Sequence, residues 1–263
     1  MECRWLACRS SGAGMAAPSA RFRACFFNTP SMTIAVIIPV LNEQKALPAL
    51  LPELLSLGFE EMIIVDGGSR DRTVDMAGMI CQSAPHVHSR IIPGPCGRAS
   101  QMNAGAALAN SDILVFLHAD TQLPHNARQV VEQAMDDPRC VGGRFDVRFP
   151  RDTGYAWMVS RLMNLRSRWS GISTGDQTMF VRRSVFEELG GFANIPLMED
   201  IEFSRRLKRV GTIAPLRAKV ITSFRRWEQH GPLRTIVRMW ILRAWYWLGW
   251  DPRRLQQYYD TVR

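Results

Sequence analysis

Three uninterrupted apolar runs constrain this chain more than any other feature. They are Ile34-Ala35-Val36-Ile37-Ile38-Pro39-Val40-Leu41, Met62-Ile63-Ile64-Val65 and Ile113-Leu114-Val115-Phe116-Leu117. Each has the length of a strand, and none alternates polar with apolar. Such runs read as strands covered on both faces, as in a parallel sheet with helices on either side. Each run also ends on a polar cluster: Asn42-Glu43, Asp66-Gly67-Gly68-Ser69 and His118-Ala119-Asp120. In an open α/β sheet, ligands bind beyond the carboxyl ends of the strands. Three strands that deliver carboxylates to that edge predict a site for a metal ion and a polar, phosphorylated ligand.

The segments between the runs predict helices. Residues 44–57 place Leu47, Leu50, Leu51, Leu54 and Leu55 on one face, with Gly58 just past the end. Asp71 is placed to cap a helix through about residue 81. A weaker strand covers 87–92, and Pro93, Gly94, Pro95 and Gly97 then force a loop. An Ala-rich helix follows at 98–109, and Pro124 fits the first turn of another. This alternation argues a parallel sheet with right-handed crossovers. Beyond about residue 140 the reading is a strand at 141–149, a helix at 155–169, a loop at 171–175 and a short strand at 178–181. Helices follow at 183–189, ended by Gly190-Gly191, and at 199–209, then a strand at 219–224 and a helix at 233–248.

Charge and composition divide the chain further. Residues 1–31 are rich in Ser, Ala, Gly and Arg without periodicity, and their apolar stretches are too short for a signal-peptide core or a membrane span. They read as a disordered extension or a misassigned start. Residues 32–230 read as one domain, with a nucleotide half at 32–122 and an acceptor half at 123–230. Residues 231–263 read as a Trp/Arg-rich helical segment. The formal net charge is +9, and residues 201–263 carry 14 Lys and Arg against four acids. That basic quarter suits anionic lipid, nucleic acid or a phosphorylated substrate, or is simply a solvated surface. The six cysteines share no metal-ligand spacing, so they read as free thiols in a reducing compartment.

Each polar cluster admits a chemical and a purely structural reading. Asp66, followed by two glycines, can accept hydrogen bonds from a nucleobase or ribose, or can shape a plain turn. Asp120 can hold Mg²⁺ or Mn²⁺ that bridges a diphosphate, or can cap a helix. His118, two residues earlier, is metal-capable or a core histidine. Arg98 opens a helix whose amino end attracts phosphate, or is an ordinary solvent-facing start. Glu199-Asp200 open another helix, where acids gain from the helix dipole; one of them can also serve as a general base. Gly175-Asp176-Gln177 offer polar groups for an acceptor, or form a turn.

Taken together, Pro39-Val40-Leu41-Asn42-Glu43, Asp66-Gly67-Gly68-Ser69, Arg98 with Asn103, Ala119-Asp120, Gly175-Asp176 and Glu199-Asp200 resemble the family 2 glycosyltransferases of the GT-A fold. The resemblance covers about residues 33–230. His118-Ala119-Asp120-Thr121 and Arg225-Arg226-Trp227 are most similar to the group called radical-SAM/selenodomain-associated transferase 2, linked to arsenosugar biosynthesis. The resemblance implies a Rossmann-like, mostly parallel sheet flanked by helices, with a C-terminal amphipathic helix. It implies an inverting transfer of a sugar from a nucleoside diphosphate to a small or lipid-linked hydroxyl. Pro39, Glu43, Asp66, Gly68, Arg98, Asn103, His118 and Asp120 would hold the donor nucleotide. Asp200, with Glu199, would carry the base chemistry, and Gly175, Asp176, Arg226 and Trp227 would meet the acceptor. Asp120 and His230 would be the metal ligands, for Mn²⁺ or Mg²⁺. His118 stands where the family's metal-binding Asp-x-Asp pattern has its first Asp, and only Arg225-Arg226-Trp227 remains of a Gln-x-x-Arg-Trp signature found in processive synthases.

In the last predicted helix, Leu233, Ile236, Val237, Trp240, Ile241, Ala244, Trp245 and Leu248 recur at helical spacing, flanked by Arg234, Arg238 and Arg243. This stripe either packs on the domain, lies in a membrane interface or forms a homodimer contact. A cytoplasmic enzyme, peripheral on the inner face of the cell membrane, is the corresponding expectation, with no nucleic-acid partner. A nucleotidyltransferase shares such a sheet but needs a Gly-rich phosphate loop, and Asn42-Glu43-Gln44-Lys45 is not one. A dehydrogenase is disfavoured because no GxGxxG follows a strand. A non-catalytic basic binding module is the remaining alternative.

Overall fold

The computed structural model describes residues 32–224 and 231–260. Its eight strands form one sheet in the order β3-β2-β1-β4-β7-β6-β8-β5. They are β1 Ile34–Val40, β2 Glu61–Asp66, β3 His88–Pro93, β4 Ile113–Phe116, β5 Thr121–Gln122, β6 Cys140–Arg148, β7 Met179–Arg182 and β8 Thr212–Thr222. Parallel pairing joins β1 to β2 and β4, β2 to β3, and β6 to β8. The β4–β7, β6–β7 and β5–β8 pairs are antiparallel. The sheet is therefore mixed, with only β5 and β7 running against the rest.

Strand alternation sorts the core into two layers. Ile34, Val36, Ile38 and Val40 point to one face with the leucines of α1 (Leu47–Ser56), Ala77 of α2 (Thr73–Gln82) and Ala127, Val131 and Met135 of α4 (Ala127–Met135). Ala35 and Ile37 point the other way. They meet Ala99, Met102 and Ala106 of α3 (Arg98–Leu108), Phe186 of α6 (Arg183–Glu188) and Phe203 and Leu207 of α7 (Glu199–Val210). Both faces are buried, as the unbroken apolar runs required. The remaining helices are α5 (Gly154–Ser170), α8 (Pro232–Trp247) and α9 (Pro252–Asp260). A 3-10 turn at Gly175–Gln177 leads into β7.

Three elements differ from the sequence expectation. The strand expected at 219–224 begins at Thr212, and Pro215 sits where the β6–β8 register shifts, a place that tolerates a residue without an N–H. Pro124 is not in a helix: its carbonyl accepts the N–H of Ala127, where α4 starts. The short β5 and all of α9 were not anticipated.

The stripe expected on the C-terminal helix is also resolved. Val237, Trp240, Ile241 and Leu248 stay exposed, with Trp240 at 69% and Leu248 at 77%. Met239, Leu242, Trp245 and Tyr246 turn inward instead, packing on Ile172, Met198, Ile201 and Leu255. The stripe therefore splits, with Ile236 and Trp245 on the packed side. Among the described residues, no helix is long and apolar enough to cross a membrane.

Candidate active site

Strand direction decides which loops meet. β1, β2 and β4 are mutually parallel, so Asn42-Glu43, Asp66 and His118-Asp120 all emerge at one edge. β7 runs against β4, with Met179 opposite Phe116. Its entry, not its exit, therefore lies at that edge, which brings Gly175-Asp176 there. Asp200 completes the set, because its Oδ2 accepts the Gly175 N–H at 2.7 Å.

The loops after β1 and β2 are stitched together by hydrogen bonds. The Asp66 carboxylate accepts the N–H groups of Gly68 and Ser69 at 3.1 Å and shapes its own turn. Ser69 Oγ accepts the Asn42 N–H, and Asn42 Oδ1 accepts the Arg70 N–H, both at 2.8 Å. Thr73 Oγ1 accepts the Glu43 N–H at 2.8 Å, and Asp71 accepts the Thr73 N–H at 3.0 Å. Pro39 lies in β1 opposite Val65, one residue before Asp66.

Beneath these loops sits Gln101, which sequence reasoning left without a role. Its buried Nε2 donates to the carbonyls of Val40 at 2.9 Å and Val65 at 2.8 Å, tying the ends of β1 and β2. A Cβ on Gly67 would come within 2.9 Å of that amide, so the turn after Asp66 needs a glycine there. Asn103, expected at the nucleotide, has both ends of its carboxamide engaged by Phe192: Nδ2 donates to the carbonyl, and Oδ1 accepts the N–H. In this geometry it anchors the turn that precedes α7.

The 175–177 turn is built around His118. Its ring is close-packed on Gly175, where a Cβ would fall 2.4 Å from Cε1. Its Nδ1 lies 3.8 Å from Asp176 Oδ1. The residue in the place of the first Asp of Asp-x-Asp thus fastens the 175–177 turn to the end of β4. Asp120 is exposed beside it.

Glu199 and Asp200 start α7 after Met198, a buried residue at φ 71°. The other positive-φ residues that are not glycine, among those described, are Asn42 and Thr178. All three adjoin segments of this edge, and such strain persists only where the surroundings enforce it. Asp200 Oδ1 also accepts the Ile201 N–H at 2.7 Å, so both its oxygens are oriented. Glu199 is 4% exposed and lies 3.6 Å from Arg98. Burial pushes its pKa up to about 7; repulsion from Asp200 adds to this, and Arg98 offsets part of it.

The charges of two arginines from outside the sheet are felt at this group. Burial lowers the pKa of Arg166 on α5 to about 10, with repulsion from Arg243 adding and attraction from Asp200 opposing. Burial also lowers that of Arg243 on α8, against attraction from Asp200 and Asp176. Sequence reasoning set Arg243 on the rim of the exposed stripe and gave Arg166 no role. A helix register alone does not reveal that either faces the site.

Among the described residues, no three His, Cys, Asp or Glu side chains converge so as to hold a metal ion on their own. A single exposed carboxylate, Asp120, does suit Mg²⁺ or Mn²⁺ that takes its other oxygens from a diphosphate and water. The donor set therefore fits a cation shared with the ligand. Arg226, Trp227 and His230 lie outside the described residues.

Residues 35–190 match the family model described as glycosyl transferase family 2. The probable glycosyltransferase YdaM of Bacillus subtilis (strain 168) is 28% identical over 219 residues, covering 74% of this chain and 50% of that protein. An undecaprenyl-phosphate 4-deoxy-4-formamido-L-arabinose transferase of Pseudomonas paraeruginosa (strain DSM 24068 / PA7) is 32% identical over 171 residues, 61% of this chain and 50% of that one. The chain spans about half the length of these two curated relatives. Among solved structures, mannosyltransferase PcManGT from Pyrobaculum calidifontis, in complex with GDP-Man and Mn²⁺, superposes with a TM-score of 0.58. That match covers 73% of this chain and 57% of the other at 20% identity, and it is a likeness of fold.

Proposed function

The chain belongs to glycosyl transferase family 2, and from that premise we propose that it moves a sugar from a nucleoside diphosphate to a hydroxyl acceptor with inversion. The observation that carries this reading is the bond from Gly175 N–H to Asp200, which ties α7 to the edge where β1, β2 and β4 end. Asp66 would meet the nucleoside, with Pro39, Glu43 and Gly68 around it, and Arg98 and Asp120 would meet the diphosphate. Mg²⁺ or Mn²⁺, when bound, would offset charge growing on the leaving diphosphate.

Asp200 would take the acceptor's proton. Its oxygens accept backbone N–H groups, yet each keeps a lone pair for a further hydrogen bond. A proton on Glu199 would relieve the repulsion within the pair. Gly175 and Asp176, with Arg226 and Trp227, would face the acceptor. His230 is retained as a second candidate metal ligand.

Two finer readings go with this. The motifs His118-Ala119-Asp120-Thr121 and Arg225-Arg226-Trp227 favour the radical-SAM/selenodomain-associated transferase 2 group, with an acceptor in arsenosugar synthesis. The exposed Val237, Trp240, Ile241 and Leu248, with Arg234 and Arg238 on the same helix, favour peripheral contact with the inner face of the cell membrane.

The test is product identity. Incubation of UDP-, GDP- and TDP-sugars with hydroxyl acceptors, with and without Mn²⁺, should release a nucleoside diphosphate and glycosylate the acceptor, and Asp200→Asn should stop both while leaving donor binding nearly intact. Pyrophosphate release from a nucleoside triphosphate and a sugar 1-phosphate, with no diphosphate release from the nucleotide sugars, would replace this reading with nucleotidyl transfer. Full activity in Asp200→Asn would refute the base assignment. Salt-sensitive nucleic-acid retention with no donor binding would favour a non-catalytic module.

A further inference from the structure

Several buried or half-buried arginines of this chain have an acid or carbonyls to donate to, and Arg90, which leaves its Nε unfilled, still pairs with Glu61. Arg144 is 1% exposed; it pairs with Asp146 and donates to the carbonyls of Phe145 and Asn164. Arg206 pairs with Glu202 and donates to the carbonyls of Leu189 and Gly191. Arg182 is likewise bonded to the carbonyls of Cys140, Met135 and Asp137.

Arg166 and Arg243 break that pattern. Nε and Nη2 of Arg166 and Nε of Arg243 are closed to solvent and have no hydrogen-bond partner. Among the described residues neither guanidinium forms an ion pair within 4.0 Å, though Asp200 and Asp176 attract both. The Asp200 oxygens are instead held by the Gly175 and Ile201 N–H groups. Buried N–H donors without acceptors are costly, and a buried charge without a partner more so. Two guanidiniums from separate helices, each attracted by the same two acids and each with donors unfilled, suit an oxygen-rich anion. The forked N–H geometry of arginine matches phosphate oxygens.

We propose that Arg166 and Arg243 form a phosphate seat next to Asp200 and Asp176. The proposal rests on the glycosyl-transfer reading only for its biological source. The phosphate belongs either to the donor diphosphate or to a phosphate carried by the acceptor. Neither helix belongs to the nucleotide half, α5 leads directly into the 171–177 segment, and α8 packs on the start of α7.

The test uses the full chain and needs no turnover. Binding of inorganic phosphate, UDP and GDP is measured by calorimetry for the wild type, Arg166→Gln and Arg243→Gln. Each substitution should weaken at least one of these ligands tenfold or more. Weakened UDP or GDP assigns the seat to the donor diphosphate, and weakened inorganic phosphate with nucleotide binding kept assigns it to the acceptor. Unchanged binding of all three overturns the proposal. A seat held open for a ligand also predicts that neither substitution lowers the melting temperature of the ligand-free chain. A fall with binding unchanged would mark the pair as structural. Should a Gln variant fail to fold, the wild type decides: phosphate must raise its melting temperature more than chloride does at equal ionic strength. Equal shifts overturn the proposal. A chain that binds phosphate here yet transfers no sugar would keep the seat and lose the transfer reading.

Discussion

Glu199 should cost the folded state stability at neutral and alkaline pH, and Glu199→Gln should restore it. The carboxyl's ordinary pKa is 4.5, and burial with repulsion from Asp200 pushes it up to about 7 in the folded chain. The folded state therefore holds this proton more tightly than the unfolded state does. Stability falls as pH rises from the unfolded value through the folded one, and the loss is complete above it. Each unit between the two values is worth about 1.4 kcal/mol, so the cost is about 3 kcal/mol once both states are ionised. The attraction of Arg98, 3.6 Å away, is already contained in that figure. Gln keeps the shape and removes the ionisation. Urea denaturation at about pH 5 and about pH 8 should show the variant gaining on the wild type by about 2.5 kcal/mol between them, since part of the cost is already present at the lower pH. A stability gap that is the same at both pH values would refute the desolvated-acid account. The same variant bears on function: if a proton on Glu199 modulates Asp200, the activity profile of the wild type should bend near neutral pH, and that bend should vanish in Glu199→Gln.

Gln101→Leu should destabilise the chain by about 2 kcal/mol, because the buried Val65 carbonyl loses the Gln101 donor and the Val40 carbonyl keeps only the Gly67 N–H. Donor nucleotide affinity should fall with it, since the ends of β1 and β2 lose their tie; unchanged affinity in a folded variant would separate Gln101 from the site. Trp240→Glu with Leu248→Glu should reduce retention on anionic phosphatidylserine vesicles at least tenfold without altering melting temperature, as both side chains are mostly exposed. Equal retention would count against a membrane-facing stripe, and a concentration-dependent dimer that the pair abolishes would assign the stripe to a second copy.

The parts of the fold legible in the sequence are those fixed by local burial. β1, β2 and β4 are covered on both faces, so their composition betrays them, and the carboxylates at their ends follow from chain direction alone. The antiparallel course of β7 is different. Met179–Arg182 is too short to reveal direction, and only pairing with Phe116 to Ile113 places its entry, and with it Asp176, beside His118. β8 hid its first half because only Val220 and Thr222 of its residues are buried and Pro215, Arg217 and Lys219 interrupt it. In α9, Leu255 is buried among exposed or half-buried neighbours, which leaves no stripe to recognise.

The site residues follow the same division. An acid at the end of an apolar run announces itself, whereas Gln101, Arg166 and Arg243 look like surface residues of ordinary helices. Their burial depends on what a distant strand end or helix presents to them. α8 makes the point most sharply. Its sequence carries apolar residues on two faces, and the more conspicuous stripe, read as domain packing, membrane interface or dimer contact, leaves Val237, Trp240, Ile241 and Leu248 exposed. The face that packs holds Met239, Leu242 and Tyr246, and the residue carried inward with them is Arg243. Periodicity identifies the faces of a helix but not which one the rest of the chain will cover. A wrong choice of face mistakes an exposed residue for a core one, and a buried arginine for a solvated one.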